Sequence, residues 1–213
     1  MRLYTYFRSS AAFRVRIALN LKGLAYEPRV VHLRKGQQQE ATYGAVNPQA
    51  LLPTLELDDG RRLAQSMAII EYLDETHPQP PLMPKEPLAR ARVRSLSQLV
   101  ACEIHPLNNL RTLQHLRKQL GQSEEQVGAW YRHWIADGFA KIEAELAGAK
   151  RNGRYCHGDA PTMADCCLVP QVFNARRYEF DAARYPTTMR VFEECMQLDA
   201  FDRAQPSKQP DAE

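Results

Sequence analysis

Two serines beside an arginine form the part of the sequence best suited to chemistry. Arg8, Ser9 and Ser10 follow residues 3–7, which have the character of a strand, and precede a run with helical spacing. A serine hydroxyl at a helix amino terminus can donate a hydrogen bond to an anion, and the helix dipole adds positive potential there. Such a site lowers the pKa of a bound thiol from its ordinary value of about 8.5. Helix capping is the alternative role of both serines.

Gln65 and Ser66 offer a second place where an anion could bind. They precede apolar residues at helical spacing, so the Ser66 hydroxyl, backbone N–H groups and the helix dipole could together receive a carboxylate. A plain N-cap would use the same residues. Pro53 comes directly before a predicted strand, where its missing N–H least disturbs the hydrogen-bond ladder.

The second half of the chain holds a compact polar cluster. His105, Asn108, Asn109 and Arg111 lie close together, and we predict a helix on which positions 105, 108 and 109 share one face. A single histidine on a helix is more often structural. Two adjacent asparagines, however, interrupt an otherwise apolar stripe, so we interpret this face as the lining of a cleft.

Basic residues dominate the first 35 positions, with eight Lys and Arg against one acidic residue. This imbalance indicates an anionic ligand nearby, although we expect Arg14 and Lys22 to lie on the solvated outer face of the first helix. Arg8 differs, because it stands at the carboxyl end of the first strand, where open α/β sheets place ligands. Arg176 and Arg177 follow an apolar helix and form either its solvated end or a pair that binds carboxylates.

Five prolines within residues 77–87 divide the chain, because such a segment can neither continue a helix nor lie inside a sheet. Before it, apolar periodicity and the turn signal at residues 58–60 predict the order βαβαββα. After it, apolar residues recur every three or four positions and predict helices. Thr162 and Asp165 have the spacing of a capping box ahead of a buried helix.

The predicted fold class is therefore α/β + all-α, with an α/β domain at residues 1–77, a Pro-rich linker at 78–87 and an all-helical domain at 88–213. The polar end of the chain, residues 204–213, is expected to fray. A formal net charge of +3 is too small for a protein whose main task is to coat nucleic acid.

The five cysteines include an adjacent pair and form no C-x-x-C. This pattern disfavours a disulfide framework, a zinc cluster and a dithiol redox motif. The amino-terminal residues lack an apolar run of the length that a signal peptide needs. We expect a cytoplasmic protein that holds no metal and binds neither nucleic acid nor a membrane.

Four segments together resemble a known family. They are R-S-S-A-A-F-R-V-R-I-A-L at residues 8–19, N-P-Q-A-L-L-P-T-L at 47–55, Q-S-M-A-I-I-E-Y-L at 65–73 and H-P-L-N-N-L-R at 105–111. The chain resembles the zeta-class glutathione transferases and, within that class, most resembles the maleylacetoacetate and maleylpyruvate isomerases. The resemblance implies a thioredoxin-like domain, an all-helical glutathione-transferase C-terminal domain, a homodimer and glutathione as the cofactor.

The resemblance also implies residue roles. Ser9, with Ser10 as the competing candidate, would hold the glutathione thiolate, and Leu52, before a cis Pro53, would pair its backbone with the cysteine of the tripeptide. The glycyl carboxylate would lie toward residues 34–38, which include Gln38. The other implied contacts are Gln65 and Ser66 for the γ-glutamyl end, His105, Asn108 and Asn109 for glutathione, and Arg8, Arg111, Arg176 and Arg177 for a substrate with two carboxylates.

The implied reaction is an isomerisation in which glutathione returns unchanged. Its thiolate would add to the cis double bond of a maleyl diketo acid, rotation would follow, and elimination would give the trans product, while Arg8 stabilises the developing negative charge. The family usually has S-S-C at residues 9–11, whereas this chain has Ala11, so no protein thiol acts there and the glutathione sulfur is the nucleophile.

Other functions would use the same residues or the same fold. A general glutathione transferase or dehalogenase on small electrophiles needs the same thiolate site, and a non-catalytic binding module needs only the fold. A disulfide oxidoreductase would need a cysteine where Ser9 stands. The sequence does not distinguish maleylacetoacetate from maleylpyruvate as the substrate.

Overall fold

The computed structural model describes residues 1–148 and 153–213, and the chain divides into two compact units. The first unit comprises Met1–Met83 together with Met196–Glu213, and the second comprises Pro84–Cys195. None of the helices in the described residues is both long and apolar enough to cross a membrane.

The first unit is built on a four-stranded mixed sheet with the order β2-β1-β3-β4. Strand β1 pairs in parallel with β2, whereas β3 runs antiparallel to both β1 and β4. This topology confirms the predicted βαβαββα order of a thioredoxin-like domain. The elements are β1 (Arg2–Thr5), α1 (Ser10–Leu21), β2 (Glu27–Val30), α2 (Ala41–Gly44), β3 (Thr54–Glu56), β4 (Arg62–Ala64) and α3 (Ser66–Thr76).

Helix α1 is buried on nearly all of its surface, because it packs against α3 and against a short helix of the carboxyl-terminal segment, Asp199–Asp202. Lys22, at its end, is therefore buried, and our expectation that it lies on a solvated face is wrong. Its ammonium group donates to Asp74 at 3.0 Å and to the carbonyls of His77 and Pro80 at 2.7 and 2.9 Å. A buried charge needs such partners.

Residues 204–213 pack within the first unit, against residues from the beginning of the chain, so the expectation that they fray is wrong. The Phe7 N–H donates to Asp211 Oδ2 at 2.9 Å, and His32 Nε2 lies 2.7 Å from Glu213 Oε1. The hydrogen bond with His32 holds the pKa of the Glu213 carboxyl below its ordinary value. A polar tail frays only where it lacks partners, and here distant residues of the same unit provide them.

The second unit consists of helices and connecting turns in the part of the chain that the structure describes. Asp165 Oδ2 accepts the Thr162 N–H at 2.7 Å and its hydroxyl at 2.8 Å, so the helix predicted after Thr162 is confirmed. The longer elements are α4 (Pro87–Gln98), a π-helical segment (Leu99–Ile104), α5 (Leu110–Lys118), α6 (Glu124–Ala147), α7 (Met163–Ala175) and α8 (Pro186–Met196), which ends at the boundary of the unit.

Gly138 in α6 lies against the π-helical segment, and a Cβ there would come 2.3 Å from the Ile104 side chain. We expect Gly138→Ala to lower the free energy of unfolding by about 1–3 kcal/mol, because a well-packed contact must shift. Gly128, also in α6, is the matched control, since its Cβ would meet only the end of Arg132 at 3.3 Å. Gly128→Ala should add up to about 1 kcal/mol through helix propensity. Urea unfolding compares the two, and equal changes would contradict the packing argument.

Candidate active site

The sheet register brings three of the predicted site segments to one edge of the first unit. Tyr4 pairs with Thr54, and Thr54 pairs with Ala64, so the three residues form one row across the sheet. Strands β1 and β4 end at or just after this row, and β3 begins at it. The loops after β1, before β3 and after β4 therefore lie at the same end of the sheet. The segments brought together there are residues 8–10, 52–53 and 65–66.

Ser9 is the N-cap of α1. Its backbone is extended, its Oγ accepts the Ala12 N–H at 3.2 Å, and its own N–H donates to the Tyr6 carbonyl at 2.9 Å. A hydroxyl that accepts one hydrogen bond still carries a hydrogen that it can donate. Capping and anion binding are therefore compatible at Ser9. Ser10, the first residue of α1, is also buried.

The loop before β3 is held by two side chains that our sequence analysis did not single out. The Leu52–Pro53 peptide bond is cis, as the resemblance implies. Tyr43 donates its hydroxyl to the Leu51 carbonyl at 2.7 Å, and Asn47 donates Nδ2 to the same carbonyl at 2.9 Å. Asn47 opens one of the motifs that carry the resemblance, which was the available signal. Both side chains also reach Thr54 Oγ1, so the backbone of this loop is fixed.

Gln65 adopts a backbone conformation that few residues other than glycine adopt, with φ of +69°. Such a conformation costs about 1–3 kcal/mol, and residues that keep one cluster at active sites and ligand clamps. The Gln65 side chain donates Nε2 to Gln49 Oε1 at 2.7 Å. Ser66, the next residue, is buried at the amino terminus of α3. This geometry favours a ligand role for the pair over a plain N-cap.

Arg14 is buried next to the Ser66 hydroxyl, with only 2% of its surface exposed. Its Nη1 donates to Ser66 Oγ at 3.3 Å, so the expectation that Arg14 lies on a solvated face is wrong. The guanidinium brings a positive charge to a site suited to a carboxylate. The sequence signal was an arginine between apolar neighbours, Phe13 and Val15, on a helix that lacks a polar face.

Residues 34–38, the segment predicted to receive a further carboxylate, form few side-chain contacts with the rest of the unit. The side-chain oxygen of Gln38 is buried and accepts no hydrogen bond from the described residues. Gln37 instead accepts the His32 N–H through Oε1 at 2.7 Å, and Arg34 lies 3.5 Å from Glu213. Gln38 could donate to a carboxylate through Nε2 but not through its unpaired Oε1, because an amide oxygen and an ionised carboxylate are both acceptors.

Arg8 is exposed at the end of the loop that follows β1. Its guanidinium carbon lies 5.3 Å from the centroid of the buried Phe7 ring. A guanidinium that rests on an aromatic face keeps its donors directed toward solvent and can bind a carboxylate with two hydrogen bonds.

The polar cluster of the second unit does not lie on one helix, so that prediction is wrong. Pro106 lacks an N–H and cannot continue the π-helical segment, and residues 105–109 form turns. Asn109 is the N-cap of α5, where its Oδ1 accepts the Arg111 N–H at 3.2 Å. The turn still brings Asn109 Nδ2 within 3.2 Å of His105 Nε2.

Asn108 carries a buried amide whose oxygen and nitrogen find no hydrogen-bond partner in residues 1–148 and 153–213. Leaving such a group unpaired costs about 1–3 kcal/mol, which favours a ligand or water partner. In the same unit, Arg176 lies 4.4 Å above the Phe192 ring, and Arg177 donates to Asn174 Oδ1 at 3.3 Å. Both arginines and Arg111 are exposed.

The described residues contain no group of three or more His, Cys, Asp or Glu side chains that could hold a metal ion. In the described residues, none of the five cysteines forms a disulfide, and Cys102 alone is exposed. Burial raises the pKa of Cys156 and Cys195 well above the ordinary thiol value, so neither is a nucleophile at neutral pH.

Comparison with known proteins gives matches over nearly the whole chain. Residues 8–76 match the family described as "Glutathione S-transferase, N-terminal domain", and residues 110–194 match "Glutathione S-transferase, C-terminal domain". The chain is 49% identical over 212 residues to a probable maleylacetoacetate isomerase of Vibrio cholerae, covering 99% of this chain and 97% of the relative. It is also 49% identical to a maleylpyruvate isomerase of a Ralstonia species, with both chains fully covered.

Solved structures give the same result. The holo structure of maleyl pyruvate isomerase, described as a bacterial glutathione S-transferase in the zeta class, matches with a TM-score of 0.97 and 48% identity over 100% of both chains. A maleylacetoacetate isomerase from Methylobacterium extorquens AM1, with bound malonate and GSH, matches with a TM-score of 0.97 and 44% identity over 100% of both chains. That relative thus holds the tripeptide and a dicarboxylate together.

Proposed function

The chain belongs to the zeta class of the glutathione transferases, among the maleylacetoacetate and maleylpyruvate isomerases, and on that premise we propose how its own residues perform a glutathione-dependent cis–trans isomerisation of a maleyl diketo acid. The observation that carries the proposal is the arrangement at one sheet edge. There, the N-cap hydroxyl of Ser9, the cis Leu52–Pro53 bond and the strained Gln65 meet.

The residues of the first unit fit a glutathione molecule. Ser9, or Ser10 in its place, donates its hydroxyl hydrogen to the sulfur, and the Leu52 backbone pairs with the cysteinyl part. Gln65 and Ser66 receive the γ-glutamyl carboxylate. Gln38 meets the glycyl carboxylate through its amide nitrogen. The positive φ of Gln65 supports this assignment, and Gln38 would take part through its Nε2 donor, since an amide oxygen cannot hydrogen-bond to an ionised carboxylate.

The helix dipole and the Ser9 hydroxyl hold negative charge on the sulfur, since both direct positive potential to the amino terminus of α1. When bound, glutathione supplies the nucleophile that turns the cis double bond of the substrate into a single bond and then leaves. Arg8 stabilises the charge that develops on the conjugated carbonyl oxygen, which the ground state lacks. Its planar fork suits this task better than a lysine does.

Candidate residues of the second unit are proposed separately. His105, Asn108 and Asn109 contact glutathione, a role supported by the buried unpaired amide of Asn108. For a substrate carboxylate the candidates are Arg111, Arg176 and Arg177. Replacing each with Met and measuring KM and kcat separates them, because only the loss of a carboxylate-binding arginine raises KM strongly.

We expect Arg14→Met to raise the Kd of glutathione about tenfold, the equivalent of about 1.4 kcal/mol. The variant removes the charge that lies next to Ser66 Oγ, while the Met side chain keeps part of the apolar packing. Calorimetry measures the Kd, and circular dichroism checks the fold. The control is a cycle with Ser66→Ala. Because the two groups act on one carboxylate, the double variant should lose less than the sum of the single losses; full additivity would contradict the shared role.

The experiment that tests the proposed function incubates the purified protein with maleylacetoacetate and with maleylpyruvate, with and without glutathione. We expect a trans product only with glutathione, and full recovery of free glutathione at the end. A stable conjugate, or halide released from a haloacid, would instead favour the general transferase or dehalogenase. Absence of measurable glutathione binding would favour a non-catalytic module. The ratio of kcat/KM values identifies the preferred substrate.

We further propose a homodimer in a reducing compartment, the cytoplasm. The resemblance supports the dimer, and five cysteines that form no disulfide in the described residues support the compartment. Light scattering coupled to size exclusion tests the dimer, since a single species at the mass of one 24.4 kDa chain would contradict it.

A further inference from the structure

Arg16 extends a guanidinium into the interior of the first unit, where none of its surface is exposed. Nη1 donates to Thr5 Oγ1 at 3.0 Å and to the Tyr6 carbonyl at 3.3 Å, and Nη2 donates to the Phe7 carbonyl at 3.1 Å. Nε donates to the Ala204 carbonyl at 3.1 Å. All four acceptors are neutral oxygens, so the charge of Arg16 is not cancelled by a hydrogen-bonded carboxylate.

These bonds fix the backbone of Tyr6 and Phe7, directly before residues 8–10. The Tyr6 carbonyl accepts both the Ser9 N–H at 2.9 Å and Nη1 of Arg16. The Phe7 carbonyl accepts Nη2, and the Phe7 N–H donates to Asp211. Ser9 and Arg16 therefore share one acceptor, and a displaced guanidinium releases the residues that set where the Ser9 hydroxyl lies.

The charge of Arg16 also acts on this loop. Burial lowers the pKa of its guanidinium to about 10, which still leaves it protonated at neutral pH. Tyr26 and Asp211 are the ionisable groups that favour its charged form. A charge surrounded by protein is screened less than one in water. The Arg16 guanidinium and the amino terminus of α1 are both positive, so both favour an anion next to Ser9.

We propose that Arg16 is a positioning residue for the glutathione thiolate: it sets the Ser9 hydroxyl through the carbonyls of Tyr6 and Phe7, and its buried charge stabilises the anionic sulfur. The proposal rests on the proposed function to the extent that it assumes the sulfur at Ser9. Geometry and charge contribute separately, because the fork of four donors fixes the loop while the net charge acts at a distance. A role confined to the carboxyl-terminal segment, through Ala204, is the competing explanation.

The test titrates the thiol of bound glutathione by its ultraviolet thiolate absorbance in the full-length protein. We expect Arg16→Met to raise the pKa of the bound thiol by about one unit or more, with less than a fivefold change in the Kd of glutathione, whose peptide contacts remain. Arg16→Lys keeps the charge but not the fork. We expect Arg16→Lys to raise the thiol pKa by less than half of the rise in Arg16→Met and still to lower kcat about tenfold.

Asn20→Ala is the matched control, because Asn20 lies one turn further along α1 and donates to the Ala200 carbonyl at 2.9 Å. It also ties α1 to the carboxyl-terminal segment, but its bond does not involve Tyr6 or Phe7. We expect a lower melting temperature and an unchanged thiol pKa. An equal shift in Asn20→Ala would assign Arg16 a merely structural role and overturn the proposal.

Three further outcomes are decisive. An unchanged thiol pKa in Arg16→Met, against a lowered value in the unaltered protein, overturns this proposal alone and leaves the proposed isomerase function intact. If Arg16→Met does not fold, Arg16→Lys carries the test, and wild-type values of both kcat and thiol pKa in that variant overturn the proposal. A lowered thiol pKa without isomerisation would reject the proposed function and not the role of Arg16.

Discussion

Ser9→Ala is expected to lower kcat/KM of the isomerisation by about 10²–10³-fold while it lowers the free energy of unfolding by only about 1 kcal/mol. The large loss follows from removing a donor aimed at the sulfur, and the small one from removing the N-cap bond to Ala12. Steady-state kinetics at saturating glutathione and urea unfolding measure the two effects on the same preparation.

Two controls separate the roles of Ser9. Ser9→Gly costs only a few tenths of a kcal/mol in capping, yet it lacks the hydroxyl and should lose the same activity. Ser123→Ala removes another N-cap, whose Oγ accepts the Gln126 N–H at 3.2 Å, and should lose stability without losing activity. If Ser9→Ala stays active and Ser10→Ala does not, the thiolate donor is Ser10.

Arg8→Met is expected to lower kcat/KM about 100-fold and to leave the Kd of glutathione unchanged. The reason is that Arg8 is assigned to the substrate and to the charge that develops on it during the reaction, and not to the tripeptide, so its loss falls on kcat/KM. Arg8→Lys should recover part of the rate, since the charge remains while the planar fork is lost. Kinetics with both substrates and calorimetry with glutathione give the two quantities.

The control for Arg8 is Arg61→Met, which removes the same net charge from the hairpin of the same unit. Arg61 is exposed and paired with Asp59 at 2.6 Å, away from the residues assigned to the site. We expect wild-type kinetics from this variant. Equal losses in both variants would mean that the overall positive charge attracts the substrate, and Arg8 would have no specific role.

Local patterns were sufficient to predict the strands and the β3–β4 hairpin, because these depend on neighbouring residues, whereas the pairing of β1 with β2 and β3 joins distant parts of the chain. The turn at residues 58–60 joins β3 to β4 as expected, and Thr162 caps the buried helix through Asp165. Ser9 was found as a helix start for the same reason, since its hydroxyl accepts an N–H only three residues further on, whereas α3 begins at Ser66 without a side-chain capping bond from Gln65.

The interior arginines escaped prediction because each has one acceptor in a distant part of the chain. Arg14 reaches Ser66 and Arg16 reaches Ala204, separated by 52 and 188 positions. Helical periodicity identifies a basic residue but not the partner that allows its burial. An arginine within an apolar helix of this kind is better interpreted as a buried hydrogen-bond hub than as part of a solvated face.

The helix predicted over the cluster at His105 was wrong because the spacing rule was applied across a proline. Pro106 ends the ladder, and Asn109, the residue taken for a cleft-lining position, begins α5 as its cap. The two functions of such an asparagine are not exclusive, since its Nδ2 still lies near His105. In this chain the asparagine that follows the proline is the start of a new helix, in line with the preference of asparagine for the N-cap.

The central claim is that the site at Ser9 keeps the glutathione sulfur ionised, and titration of the bound thiol tests it most directly. Two or three aimed donors correspond to a pKa about 2 units below that of free glutathione, or about 2.7 kcal/mol. We expect this shift in the unaltered protein and a much smaller one in Ser9→Ala. A bound thiol that titrates with the pKa of free glutathione would contradict the account.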